Sequence, residues 1–160
     1  MNGAATSEHE RKKEAVTRLR LADGPLLRSV LCRVVSMVLT RADWPLDRLE
    51  EALLVCDALC AHGPASTGCD RLAFSIEADE HRAELCVCEL TPESAEKLIG
   101  DAQLPLVGNV IEQVAERVTV ECDESGSQAR LAIELRAHPE RSPDASPPHR
   151  ADLARPLSSS

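Results

Sequence analysis

Residues 49–63, L-E-E-A-L-L-V-C-D-A-L-C-A-H-G, place apolar side chains at helical spacing. Leu49, Leu53, Cys56 and Cys60 recur in steps of three or four, and Ala52 and Leu59 widen the stripe. A helix with one apolar face needs a second layer to bury that face, which excludes an extended or all-polar chain. One acid, Asp57, interrupts the stripe among Leu, Val, Cys and Ala. A carboxylate in such surroundings must find a partner or carry a raised pKa. Asp57 therefore either lies on the solvated edge of the helix or belongs to a site.

The neighbouring segments supply the second layer. Residues 16–21 alternate loosely and suit an edge strand. After Asp23-Gly24-Pro25, a helix-start signal, Leu27, Val30, Leu31, Val34, Val35, Val38 and Leu39 follow at three- and four-residue steps to about Arg41. Ala42-Asp43-Trp44-Pro45 turns into the second helix, expected over 46–61 and stopped by Gly63-Pro64. Leu72, Phe74 and Ile76 alternate in 71–77, and Leu85 and Val87 oppose Cys86 and Cys88 in 84–89, so these two segments form a hairpin. Thr91-Pro92 opens a short helix to about Ile99. A further helical pattern after Pro105 carries Val107, Val110, Ile111, Val114 and Val118. A second hairpin pairs 117–122 with 129–136 across a loop containing Asp123-Glu124-Ser125-Gly126.

The expected fold is therefore α/β in the α+β sense, a two-layer sandwich. About five strands form a mixed, mostly antiparallel sheet, covered on one face by three or four helices. Residues 1–15 read as a disordered arm, 16–137 as the domain, and 138–160, with five prolines and a closing Ser-Ser-Ser, as a disordered tail.

Composition excludes several functions. Trp44 and Phe74 are the only aromatic residues, too few for a base-stacking nucleic-acid platform. Of 18 basic and 27 acidic residues, 1–20 hold five and three and 138–160 hold three of each, leaving ten and twenty-one between. Such an acidic domain repels a phosphate backbone and favours a basic protein surface. No apolar run is long enough to span a membrane, and the polar N-terminus lacks an apolar signal core, so the expected compartment is the cytoplasm, with the seven cysteines reduced.

The R-L-R-L opening, the helix pair, the helix-closing A-H-G and the order of elements resemble the ATP-binding domain of bacterial anti-sigma factor serine kinases. That family belongs to the gyrase/histidine-kinase ATPase superfamily, the Bergerat fold, and the resemblance spans about residues 16–136. It implies ATP and Mg²⁺ as cofactors, a sigma factor or an anti-anti-sigma (STAS) protein as partner, and homodimerisation. The family's second helix reads E-A-x-x-N-A-x-x-H-G, with Glu activating the attacking group and Asn holding Mg²⁺. Here the text is D-A-L-C-A-H-G. Anchored on the acid, Asp57 stands for the Glu and Ala61 for the Asn; anchored on His62-Gly63, Leu54 and Ala58 do. Both placements put alanine, which has no oxygen, where a hard cation needs one.

The family's D-x-G-x-G, which reads adenine, is replaced by C-E-L-T-P-E, so that Glu89 imitates the Asp without the glycines. Its phosphate-covering glycine loop is reduced to Gly108 in L-P-L-V-G-N-V-I, where helix entry is the competing explanation. Gly126-Ser127 echoes a Gly-Thr and equally suits a plain turn. Phosphoryl transfer depends on positioning and on the metal's charge, so the resemblance implies the fold with a degenerate nucleotide site: a regulatory protein acting by protein–protein binding. The alternative is an active serine kinase using Asp57 as base.

Other constellations remain. Cys56 and Cys60 on one helix and Cys86 and Cys88 on one strand face would supply four thiolates to zinc, or a redox function, if the pairs met; small core fillers is the competing reading. His62 suits a helix C-terminus, and a Cys–His hydrolase lacks the electropositive pocket that activates a thiol. Trp44 is either a core plug or an exposed interface anchor.

Overall fold

The structure is a computed structural model and describes residues 16–138. The expected arm 1–15 and all but the first residue of the expected tail 138–160 lie outside the described residues. The elements in order are β1 (Thr17–Ala22), α1 (Leu26–Arg41), α2 (Leu46–Thr67), β2 (Arg71–Ala78), β3 (Arg82–Leu90), α3 (Pro92–Asp101), β4 (Gln103–Leu104), β5 (Gly108–Asn109), α4 (Val110–Val114), β6 (Arg117–Cys122) and β7 (Ala129–Arg136). Five strands form one sheet in the order β1-β2-β3-β7-β6, and every pairing in it is antiparallel. The expected α+β class is the observed one.

Strand alternation explains the two layers. Leu72, Phe74 and Ile76 of β2 stand in register with Leu21, Leu19 and Thr17 of β1, and Leu85 and Val87 of β3 with Ile133 and Leu131 of β7. The β2, β3 and β7 members of this face are at most 2% exposed and pack with Leu27, Leu31, Val35 and Leu39 of α1 and with Val55, Cys56 and Leu59 of α2. Fully burying each such Leu, Ile, Val or Phe contributes roughly 1.5–3 kcal/mol, so this seam is the main source of stability. The other sheet face carries Arg18, Arg20, Ser75, Glu84, Arg130 and Glu134 beside the small side chains of Ala73, Cys86, Cys88 and Ala132.

Two expectations are corrected. The helix α2 does not stop at Ala61 but runs through Gly63-Pro64 to Thr67. It ends at Gly68, whose φ of 66° is the left-handed cap conformation and whose N–H reaches the Pro64 carbonyl at 2.9 Å. Gly63 serves packing instead: a Cβ there would lie 2.7 Å from Leu72 Cδ1, so its hydrogen lets α2 press onto β2. The pattern 107–118 is not one helix. Residues 103–109 form a small hairpin of two two-residue strands, only Val110–Val114 is helical, and Val118 belongs to β6. Asn109 caps this short helix, accepting from the Glu112 N–H.

Candidate functional site

The candidate site is the seam between α1 and α2. Arg28 and Cys32 lie one turn apart on the flank of α1, beside the buried Leu27 and Leu31, and Asp57 follows the buried Cys56 on α2. The two helices bring these side chains together. Arg28 Nε donates to Asp57 Oδ1 at 2.6 Å and Arg28 Nη2 to Asp57 Oδ2 at 2.8 Å, a bidentate fork. Cys32 Sγ donates to the same Oδ1 at 3.5 Å. The hydrogen bonds from Arg28 hold the Asp57 carboxyl below its usual range, against a smaller opposing effect of burial. Both of its oxygens are engaged and its proton affinity is lowered, the opposite of what a general base needs at neutral pH.

The remaining sequence candidates do not converge on Asp57. Ala58 is fully buried in the core. At helical spacing it shares a stripe with His62, which donates from Nε2 to the Gln103 carbonyl at 2.8 Å, and with Ser66, which donates to Asp101 Oδ2 at 2.8 Å. This flank of α2 is therefore covered by the end of α3 and the segment after it. Ala61, from the other placement, is exposed and borders an open groove of about 480 Å³ lined also by Asp23, Cys60, Pro64, Cys69 and Asp70. Neither alanine offers a metal an oxygen.

Glu89 sits at a β-bulge with φ of 59°. Its carboxylate pairs with Arg20, which alternates with the inward Leu19 and Leu21 and so stands on the sheet face away from the helices. Gly108 has φ of 84° and opens β5 directly after the β4–β5 turn, where a Cβ would lie 3.2 Å from Gln113 Nε2. That amide donates to the Val107 carbonyl at 2.6 Å, so Gly108 serves the turn. Asp57, Glu89 and Gly108 thus occupy three separate places.

Trp44 is corrected from interface anchor to core residue. It is 7% exposed, and its indole N–H donates to the Asp79 carbonyl at 2.7 Å, tying the α1–α2 turn to the β2–β3 turn. The four-thiolate zinc arrangement is also corrected. Cys86 and Cys88 alternate with the inward Leu85 and Val87, so the sheet separates them from Cys56 and Cys60. Among the described residues, no group of three or more His, Cys, Asp or Glu can hold a metal ion.

Two features escaped the sequence. Arg28 and Cys32 carried no motif, although a cation on a helix flank opposite a lone acid is a usable signal. The outer sheet face holds a ladder of charges: Arg82 meets Glu84 at 2.9 Å and Glu134 at 3.5 Å, and Arg130 pairs with Glu84 and lies 3.6 Å from Glu121. No helix among the described residues is long and apolar enough to cross a membrane.

The described residues thus define an α+β domain with an antiparallel sheet, one helical layer and a salt-bridged seam on that layer. No known protein-family model matches the chain, and no curated protein matches it significantly.

Proposed function

We propose that this chain is a regulatory binding protein of the anti-sigma-factor-kinase type, cytoplasmic, with a degenerate nucleotide site, acting on a sigma factor or an anti-anti-sigma (STAS) protein. The observation that carries the non-catalytic part is Ala58. It fills the place of the metal-binding Asn in the placement anchored on His62-Gly63, and it is sealed in apolar packing with no oxygen to offer. The Arg28 fork on Asp57 supports the same reading, because it occupies the one acid that the kinase alternative requires. The order of elements, with a helix pair between the first two strands and a hairpin on either side of α3 and α4, is the arrangement on which the resemblance rests. The acidic balance of 21–137 favours a partner with a basic surface.

Calorimetric titration with Mg–ATP is expected to give no saturable heat. Incubation with labelled ATP and a sigma factor or STAS protein encoded beside this chain is expected to give a stable complex and no transferred label. Saturable micromolar ATP binding, with label transfer that Asp57→Ala abolishes, would overturn the reading in favour of the active kinase. Failure to bind any such protein would overturn the partner.

A further inference from the structure

We propose that the free edge of β6 is a self-association surface, on which a second copy of this chain pairs its own β6 antiparallel and continues the sheet across both molecules. The sheet ends at β1 on one side and at β6 on the other. β6 is bonded along one side, to β7, and among the described residues no backbone group reaches its other side. A strand edge of this kind is a row of unpaired N–H and C=O groups that another strand can complete.

The residues of β6 select the occupant. Positions 117–121 read R-V-T-V-E, with valines placed symmetrically about Thr119 and opposite charges at the two ends. Laid antiparallel and centred on Thr119, a second copy sets its Glu121 against Arg117, its Arg117 against Glu121, and its two valines against Val120 and Val118. Opposite charges and β-branched side chains directly across a strand pair stabilise it. Arg117 and Glu121 are exposed on the outer sheet face, while Val118 and Val120 are half-buried on the helix side, in register with Ile133 and Leu131. Arg117 makes no ion pair among the described residues, and Glu121 has Arg130 at 3.6 Å.

The backbone fits the same register. The Asp123 N–H bonds the Gln128 carbonyl at 2.9 Å, one step beyond the Cys122–Ala129 pair. Antiparallel alternation therefore commits Glu121 and Thr119 to β7 and turns the N–H and C=O groups of Val118 and Val120 outward. Centring on Thr119 brings the outward groups of Val118 opposite those of Val120 in the second copy, so the two exchange both bonds. A shift of one residue would lose these bonds and the charge match together. The other edge, β1, lacks this self-complementarity. Its charges are Arg18 and Arg20, with no acid between Thr17 and Ala22, so a copy centred on Leu19 would oppose arginine to arginine. The β6 surface is independent of the nucleotide site and of any regulatory partner.

The test is sedimentation equilibrium of the full chain at micromolar to millimolar concentration, where reversible dimers are expected. Arg117→Glu opposes acid to acid across the pair and Glu121→Arg opposes cation to cation, so each variant alone should raise the dimer Kd by about tenfold or more. Mixed in equal amounts, the two variants match every charge again and should associate with nearly the wild-type affinity. Any cost within one chain, such as a cation at position 121 beside Arg130, is the same alone or mixed, so recovery in the mixture reports the interface itself. Circular dichroism verifies that both variants are folded. If either is not, Thr119→Cys decides: its thiols meet on the symmetry axis, and mild oxidation should link two chains through position 119, as mapped by peptide fragmentation. A wild-type chain that stays monomeric, a dimer that both charge variants retain, a mixture no tighter than its components, or no link through position 119 would overturn the proposal.

Discussion

Replacing Ala58 with Asn asks directly whether the place where an ion would be gripped is packed or open. Ala58 has no exposed surface, and α2 is covered on this flank by the contacts of His62 and Ser66 with 101–103. Asn adds three heavy atoms to a filled space, and overpacking of that kind costs about 1–3 kcal/mol. Its amide also loses water without gaining partners, a further ~1–3 kcal/mol on mutational scales. The lower helix propensity adds about 0.5 kcal/mol, giving a total near 4 kcal/mol. With a urea slope of about 1–3 kcal/mol per molar, the midpoint should fall by about 2 M. The matched control is Ala61→Asn on the same helix. Ala61 is exposed, so only the propensity cost of about 0.5 kcal/mol is expected. Urea unfolding followed by circular dichroism reads both variants. A loss below about 1 kcal/mol at position 58, or Mg–ATP binding gained there, would refute the packing account.

Gly68→Ala should destabilise by about 1 kcal/mol, because the φ of 66° strains any other residue while no atom within 4 Å would clash; thermal melting checks it. Asp57→Asn should remove a pH-dependent share of stability. The folded carboxyl titrates below its usual 3.8, so the wild-type advantage is full above that pH and disappears as pH falls through the folded value. Urea midpoints of both proteins from pH 6 down to pH 2.5 test this, and a gap that persists at the acid end would contradict it. The fluorescence of Trp44, the only tryptophan, should be blue-shifted relative to the unfolded chain and shielded from iodide. Trp44→Phe should cost about 2 kcal/mol, since it leaves the Asp79 carbonyl without its indole donor and shortens a buried ring.

Periodicity carried most of the architecture. The two hairpins and the long helices announce themselves because one face of each is buried, and the 117–122 and 129–136 strands begin and end where their alternation does. The misses have local causes. Gly63-Pro64 reads as a stop by propensity, yet Gly63 is in the helix for its contact with Leu72, a tertiary effect that no local pattern reports. The valines after Pro105 mimic a helix because the β4–β5 turn and the start of β6 happen to fall at helical intervals. At the site, Asp57 was legible as an acid in need of a partner, but Arg28 lies 29 residues away and only the packing of α1 on α2 selects it. Glu89 was legible only by analogy, and its bulge turns it toward Arg20 on the opposite side of the sheet.

The position of β7 between β3 and β6 has a consequence for how the chain acquires its shape. The last described strand to be synthesised is an interior one, so β6 has no neighbour until residues 129–136 arrive. Shortening the protein from its C-terminal side by deleting β7 would therefore not peel away a margin. It would remove Leu131, Ile133 and Leu135 from the centre of the molecule and leave two detached β-surfaces with unpaired amides, a state prone to clumping rather than to partial function.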